Sequence, residues 1–102
     1  MTEILAVARV EDVPVGTVKV VEAGGRQIAL CNYNGTIYAI DDVCTHDGGS
    51  LDQGELEGSE IECPRHGARF DIKTGRAVRL PAVRPVRSYK VTIDDGSISV
   101  EV

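Results

Sequence analysis

Two cysteine–histidine pairs are the residues of this chain whose types and spacing best suit chemistry. One pair lies in the Cys-Thr-His motif at 44–46 and the other in the Cys-Pro-Arg-His motif at 63–66, with sixteen residues between them. The chain has only two histidines, and both lie in these motifs together with two of its three cysteines. Two thiolates and two imidazoles are a full donor set for one metal centre. We therefore predict a metal site formed by Cys44, His46, Cys63 and His66.

Two kinds of metal centre use this donor set. Two cysteines and two histidines often bind structural zinc, but a zinc finger usually takes both cysteines from one element and both histidines from another. Here each motif supplies one cysteine and one histidine. That mixing favours a binuclear iron–sulfur centre in which one iron takes both cysteines and the other takes both histidines. A zinc-stabilised binding module is the less favoured alternative.

The elements that must position these motifs are short strands joined by turns. We predict strands at 3–9, 17–22, 26–33, 36–41, 86–93 and 97–101. Gly24-Gly25, Asn34-Gly35 and Asp95-Gly96 lie between consecutive strands and are typical of two-residue hairpin turns. A further hairpin, 58–62 with 68–72, brackets the second motif. Because no segment has a convincing helical pattern, we expect an antiparallel β-sandwich or small barrel.

The size and composition of the chain predict one domain. A length of 102 residues with 42% apolar residues indicates a single globular unit, residues 1–102. Its metal-binding region covers about 42–85, from the glycine-rich first loop to a stretch stiffened by Pro81 and Pro85. Only four aromatic residues are present, so the core is thin and a metal joining two loops would stabilise it.

The charged residues are divided unevenly along the chain. The net charge is −5, residues 41–62 hold eight acids and no base, and residues 63–90 hold eight bases and one acid. This division indicates either an ordinary solvated surface or a field that steers a charged protein partner. Nucleic-acid binding is not expected, because the bases have no aromatic residues among them and the chain is acidic overall.

The cysteines and the apolar pattern indicate the cellular compartment in which the protein is found. Three cysteines, of which two belong to the metal motifs, do not predict a disulfide framework, so a reducing environment is expected. The sequence starts without a basic segment ahead of an apolar run, and no stretch has the ~18 apolar residues of a membrane span. We expect a cytoplasmic protein without membrane association. Cys31, at no ligand spacing, is predicted to pack in the core or to be an ordinary residue on a strand face.

The two motifs, with Gly67 after the second and the sixteen-residue spacer between them, resemble the Rieske [2Fe–2S] pattern. The resemblance extends over essentially the whole chain, including the proline-containing segment 80–85. It implies an all-β fold of the Rieske type with a cluster-binding subdomain formed by two hairpin-like loops. It also implies one [2Fe–2S] cluster per chain, with Cys44 and Cys63 on the buried iron and His46 and His66 on the outer iron. Segment 80–85 would be the loop that covers the cluster.

Four positions of this chain differ from one branch of that family and indicate which branch the chain resembles more. Rieske subunits of cytochrome bc complexes carry an extra cysteine in each ligand loop, where this chain has Gly49 and Arg65. They also carry a serine and a tyrosine after the second motif, where this chain has Ala68 and Phe70. The chain is thus most similar to the small Rieske-type ferredoxins of bacterial oxygenase systems. Without the two hydroxyl donors, we expect a potential in the lower part of the Rieske range of about −150 to +300 mV.

The remaining residues limit what such a chain can do. No histidine is left for the mononuclear iron of an oxygenase, and no glycine motif for a flavin or nicotinamide is present. The expected protein is therefore an electron carrier and not an enzyme. The resemblance implies that it takes one electron from a flavin-dependent ferredoxin reductase and passes it to a terminal oxygenase or similar acceptor. A tightly bound electron-transfer subunit of a larger oxidoreductase is the alternative.

Overall fold

The computed structural model describes residues 3–43, 51, 54–63, 67–80 and 84–102. Within these residues there are eleven strands and one short 3₁₀ turn, Val10–Asp12. The strands are β1 Ile4–Arg9, β2 Val18–Ala23, β3 Arg26–Tyr33, β4 Thr36–Asp41, β5 Leu56–Glu57, β6 Glu60–Glu62, β7 Arg69–Asp71, β8 Ala77–Arg79, β9 Ser88–Tyr89, β10 Val91–Asp94 and β11 Ser97–Glu101.

The strands form three antiparallel sheets. The first has the order β1-β11-β10, the second β2-β3-β4-β9 and the third β5-β6-β7-β8. The prediction of an all-β antiparallel fold is confirmed. None of the described residues belongs to a helix of the length and apolarity that a membrane crossing requires.

Two-residue turns set the register of the long hairpins. Asn34 (φ 56°) and Gly35 (φ 91°) both have positive φ, which the turn between β3 and β4 requires. Asparagine tolerates this conformation better than most residues, and the side-chain oxygen of the nearby Asn32 accepts a hydrogen bond from the Gly35 N–H at 3.0 Å. The predicted strands 26–33 and 36–41 are confirmed to the residue, because a turn of this type leaves no freedom of register.

One predicted strand is wrong as a single element. Residues 86–93 divide into β9 and β10, with Lys90 between them. Tyr89 pairs with Ala39 of β4 in the second sheet, whereas Val91 pairs with Val100 of β11 in the first sheet. The alternating pattern is continuous because both pieces are extended, but the chain changes sheets at Lys90.

Strand β3 separates two apolar cores. Its alternate residues Ala29 and Cys31 belong to one buried cluster, and Ile28 and Leu30 belong to the other. Successive side chains of a strand point to opposite faces, so a central strand covered on both faces is apolar throughout. The first cluster also contains residues of the third sheet and its flanks, namely Leu51, Ile61, Cys63, Ala68, Phe70 and Ile72. The second cluster fills the space between the first and second sheets, with Ile98 and Val100 from β11.

Candidate metal centre

Of the four predicted ligands, the structure describes Cys63. Cys44, His46 and His66 lie outside the described residues, as do Gly49, Arg65 and Pro81. The described part of the chain contains no group of three or more histidine, cysteine, aspartate or glutamate side chains placed to hold a metal ion. The complete ligand set therefore stays a prediction, and the structure informs it through the elements that lead into the two motifs.

Cys63 directly follows β6 and is fully buried. Its N–H donates to the carbonyl of Ala68 at 2.6 Å, and the N–H of Gly67 donates to its carbonyl at 3.1 Å. These bonds continue the β6–β7 ladder, in which Glu62 pairs with Arg69, to the end of the hairpin. The predicted hairpin bracketing the second motif is thus present, and it places the Cys63 thiol beside the first apolar core.

The chain enters the first motif from a well-anchored position. Asp41 ends β4, and its N–H donates to the carbonyl of Arg87 at 2.8 Å, while the N–H of Asp42 donates to the carbonyl of Gln27 at 2.9 Å. The Tyr89 hydroxyl donates to a carboxylate oxygen of Asp41. Burial, reinforced by this carboxylate, raises the pKa of Tyr89 to about 12. The two residues that precede residue 43, and with it the first predicted ligand, are therefore held by the second sheet.

The chain returns from the first motif directly against the second hairpin. Leu51 is fully buried in the same cluster as Cys63. The N–H of Gly54 donates to the Leu51 carbonyl at 2.9 Å, and a Cβ at Gly54 would collide with the backbone carbonyl of Glu62. The N–H of Glu62 in turn donates to the carbonyl of Glu55 at 2.9 Å. The segments that follow the first motif and precede the second are therefore in direct contact, as a shared metal site requires.

These observations fit an iron–sulfur centre. The donor set of two thiolates and two imidazoles matches the Rieske type, in which histidines replace two cysteines on one iron. A thiolate is the metal-binding form of cysteine, and the burial of Cys63 among apolar residues suits an inner iron screened from water.

Arg69 on β7 is a residue of this region that sequence patterns did not single out. Its guanidinium lies 2.8 Å from Glu57, 2.9 Å from Glu62 and 3.5 Å from Glu60, and only 19% of its side chain is exposed. The hydrogen bonds with these carboxylates, that of Glu57 foremost, raise the pKa of Arg69 against an opposing effect of desolvation. The opposite charges of residues 41–62 and 63–90 are thus partly paired within the third sheet.

Cys31 is the second of the two cysteines that the structure describes. It lies mid-strand in β3, paired with Val18 and Tyr38 on the two neighbouring strands. Burial, with a smaller contribution from the Asp42 carboxylate, raises the pKa of Cys31 to about 12, so the thiol stays protonated at neutral pH. The prediction that Cys31 packs in the core is confirmed.

Comparison with known proteins gives consistent matches. The Rieske [2Fe-2S] domain family matches residues 3–90. The ferredoxin component of the naphthalene 1,2-dioxygenase/salicylate 5-hydroxylase systems of Ralstonia sp is 40% identical over 95 residues, covering 93% of this chain and 91% of that protein. The 3-phenylpropionate/cinnamic acid dioxygenase ferredoxin subunit of Photorhabdus laumondii is 41% identical over 99 residues, covering 96% and 93%.

Solved structures of other proteins share the fold of this chain, and one of them is a complex of a ferredoxin with an oxygenase. The ferredoxin of carbazole 1,9a-dioxygenase from Nocardioides aromaticivorans IC177 has a TM-score of 0.92 and 35% identity, covering 95% of both chains. A complex of reduced oxygenase and oxidized ferredoxin in carbazole 1,9a-dioxygenase contains a chain with a TM-score of 0.90 and 34% identity, covering 95% of this chain and 91% of that one. The terminal oxygenase from the same Nocardioides strain shares the fold, with a TM-score of 0.86 and 22% identity, but this chain covers only 29% of it.

Proposed function

The chain belongs to the Rieske [2Fe–2S] domain family, and from this premise we propose that it is a one-electron carrier between a reductase and an oxygenase. One observation carries the proposal. The match with a ferredoxin component covers 93% of this chain and 91% of that protein, whereas this chain covers only 29% of a terminal oxygenase. The similarity thus extends over nearly the whole length of a carrier and over less than a third of an enzyme.

We propose Cys44 and Cys63 as ligands of one iron and His46 and His66 as ligands of the other, within the region 42–85 of a single domain, 1–102. The cluster, when bound, accepts and returns one electron. The burial of Cys63 and the contact between Gly54 and Glu62 support this assignment. Leu51, Ala68 and Phe70 share the apolar cluster of Cys63 and keep water from its thiol.

We further propose a potential in the lower part of the family range. Ala68 and Phe70, on the hairpin of Cys63, are fully buried and carry no hydroxyl that could donate to a cluster sulfur or ligand. Fewer donors leave the added negative charge of the reduced state less stabilised. A redox titration with a midpoint above about +150 mV, within the range of about −150 to +300 mV for such centres, would contradict this proposal.

A flavin-dependent ferredoxin reductase is the proposed electron donor and a terminal oxygenase the proposed acceptor. The carbazole 1,9a-dioxygenase complex, in which a similar ferredoxin binds its oxygenase, supports the second partner. The cytoplasm is the proposed location, because two of the three cysteines are assigned to the cluster and the sequence predicts no disulfide framework.

Two buried cysteines provide a matched test of the ligand assignment. Cys31 and Cys63 belong to the same apolar cluster, so serine at either position buries a hydroxyl in similar surroundings. Cys63→Ser should abolish the visible absorption and the rhombic EPR signal of the reduced protein, whereas Cys31→Ser should retain both. A Cys63→Ser variant with an unchanged spectrum would refute the assignment.

Electron transfer itself is tested by reductive titration of the purified holoprotein. We expect uptake of one electron per chain and its return to an added oxidant. A colourless protein with one zinc per chain would instead establish the zinc-binding alternative. Gel filtration of an extract from the source cells separates a free carrier, eluting near 10.9 kDa, from a subunit bound in a larger oxidoreductase.

A further inference from the structure

Strand β8 forms one edge of the third sheet, at the same end as Cys63. Glu62 pairs with Arg69, and Arg69 pairs with Arg79, so these residues form one row across β6, β7 and β8. The next row begins with Cys63, whose N–H donates to Ala68, and Leu80 follows Arg79 along the chain. Because neighbouring strands lie ~4.8 Å apart, the backbone of Arg79 is roughly 10 Å from that of Glu62.

This edge exposes apolar side chains. Val78 is 43% exposed and Leu80 is 72% exposed, the largest value among the exposed large apolar side chains of the described residues. The register shifts where Phe70 pairs with Ala77 and Arg69 with Arg79, so Val78 is an extra residue on the edge strand. A β-bulge of this kind changes the direction of nearby side chains, and such bulges often lie next to functional sites. Apolar side chains exposed together on an open edge are typical of a surface that receives another molecule.

The same edge is basic. Residues 76–90 contain five bases and no acid in a chain whose net charge is −5. A hydrogen bond of 2.8 Å from the Val86 N–H to the Gly75 carbonyl joins the two segments, so Arg76 and Arg87 flank one junction. Arg87 is exposed and stacks on the ring of Tyr89 at 4.9 Å.

Arg79 and its cross-strand partner Arg69 differ in whether another side chain pairs with their charge. Arg69 is bound by three glutamates, whereas no ion pair or hydrogen bond joins the exposed Arg79 side chain to any other residue in the described ranges. A cation that nothing in this part of the protein neutralises is available to a partner.

We propose that this β8 edge surface, formed by Arg76, Val78, Arg79, Leu80 and Arg87, docks an acidic face of the protein's redox partner. The proposal rests on the electron-carrier function proposed above and specifies the chemistry of the partner. Val78 and Leu80 supply the apolar centre that interfaces bury, and the arginines form the polar rim. Opposite charges at the rim orient the partner during approach and increase the association rate.

Stopped-flow electron transfer from the reduced holoprotein tests this surface with two defined probes. Oxidised cytochrome b5 serves as an acidic acceptor protein and oxidised cytochrome c as a basic one. Arg79→Glu is compared with Lys19→Glu, which makes the same charge change at an exposed position of β2 in the second sheet. Arg79→Glu should slow the reaction with cytochrome b5 roughly tenfold at low salt and accelerate that with cytochrome c. Lys19→Glu should change either rate less than about twofold.

A second pair of variants tests the apolar centre at high salt, where steering by charge is screened. Leu80→Ser should slow the reaction with cytochrome b5, whereas Ile93→Ser, at a 47% exposed apolar position on β10, should leave it unchanged. Equal effects of Arg79→Glu and Lys19→Glu would overturn the proposal, because overall charge alone would then explain the rates. A dimer of the wild-type protein that Arg79→Glu dissociates would also overturn it, since a second copy would then occupy the edge.

The two proposals fail in different ways. If the wild-type protein holds its cluster but transfers no electron to either cytochrome, the carrier function is wrong and the docking surface with it. If the wild type reduces both cytochromes and the β8 variants match their controls, only the docking surface is wrong. The EPR spectra of all four variants should equal that of the wild type, because each substituted side chain is exposed, and each rate is compared at the variant's own measured midpoint potential.

Discussion

The third sheet and the other two sheets are stabilised by different means. β3 has eight residues and β4 has six, joined by a two-residue turn and covered by apolar cores on both faces. The strands of the third sheet have two or three residues each. So short a sheet is marginal by itself, and this one depends on Phe70, on the ion pairs of Arg69 and on the metal proposed at its end. The sheet at whose end we propose the metal is thus the one whose strands are all short.

Metal removal should produce the largest difference between these regions. We expect chelation of the reduced protein to accelerate amide hydrogen exchange in β6 and β7 by orders of magnitude, while β3 and β4 remain protected. Exchange measured by mass spectrometry or NMR on the holoprotein and apoprotein tests this. Equal loss of protection in all three sheets would show that the regions are not independently stabilised.

Core substitutions should distinguish the two apolar clusters. Phe70 and Ile98 are fully buried, one in each cluster. Phe70→Ala should cost about 3–5 kcal/mol and Ile98→Ala about 2–5 kcal/mol of unfolding free energy. Only Phe70→Ala should also speed cluster loss under native conditions, because it loosens the hairpin of Cys63. Circular dichroism measures the unfolding free energy, and visible absorbance measures the rate of cluster loss. Equal rates of cluster loss in the two variants would contradict the expectation that only the cluster of Phe70 supports the metal site.

Replacing Arg69 should have a smaller effect that is specific to the third sheet. Arg69→Met leaves Glu57, Glu60 and Glu62 without their shared cation, so stability should fall, and less at high salt. Loss of a positive charge near the proposed cluster site also disfavours the more negative reduced state, so the reduction potential should fall. Arg69→Lys keeps the positive charge, so it should retain part of the stability and part of the reduction potential that Arg69→Met loses.

Lys73→Met is the matched control for that substitution. It removes the same charge from a residue whose ammonium lies 5.4 Å from the Tyr33 ring centroid. Redox titration and chemical denaturation of both variants should show the larger changes for Arg69→Met. If both substitutions shift the reduction potential by the same amount, the shift comes from the lost charge in general and not from the ion pairs of Arg69.

The smallest predicted effect concerns pH and the second sheet. Tyr89 has a pKa of about 12 in the folded chain against an ordinary value of 10.0. The unfolded tyrosine loses its proton first, so this contribution to stability is complete below pH 10 and disappears as pH rises towards 12. The Tyr89→Phe variant should lack this decline and should lose about 1 kcal/mol near neutral pH with the hydrogen bond to Asp41.

Denaturation curves of the wild type and Tyr89→Phe at several pH values measure this difference. Subtraction removes the contribution of other groups, including Cys31, whose pKa is also raised to about 12. A constant difference between the two proteins from pH 9 to 12 would contradict the assignment.

Much of the framework could be predicted from local patterns. Asn34-Gly35 predicted its hairpin because the positive φ of both residues is a property of two neighbouring amino acids. The change of sheets at Lys90 could not be predicted, since two extended pieces in different sheets have the same alternating pattern as one strand. Cys31 was correctly predicted as a core residue, because it lies within a strand that is apolar on both faces.

The sequence by itself determined the metal chemistry, because donor types and their spacing are properties of the residues and not of their placement. Two cysteines and two histidines in mixed pairs indicated an iron–sulfur centre, and membership of the Rieske family agrees with that prediction. Only the tertiary structure decided that Arg69 is bound by glutamates and that Arg79, its cross-strand partner, faces solvent. Both are basic residues of the same segment, and their difference depends on which strands lie beside each of them. Strand neighbours are a non-local property, so the charge pattern along the chain does not contain it.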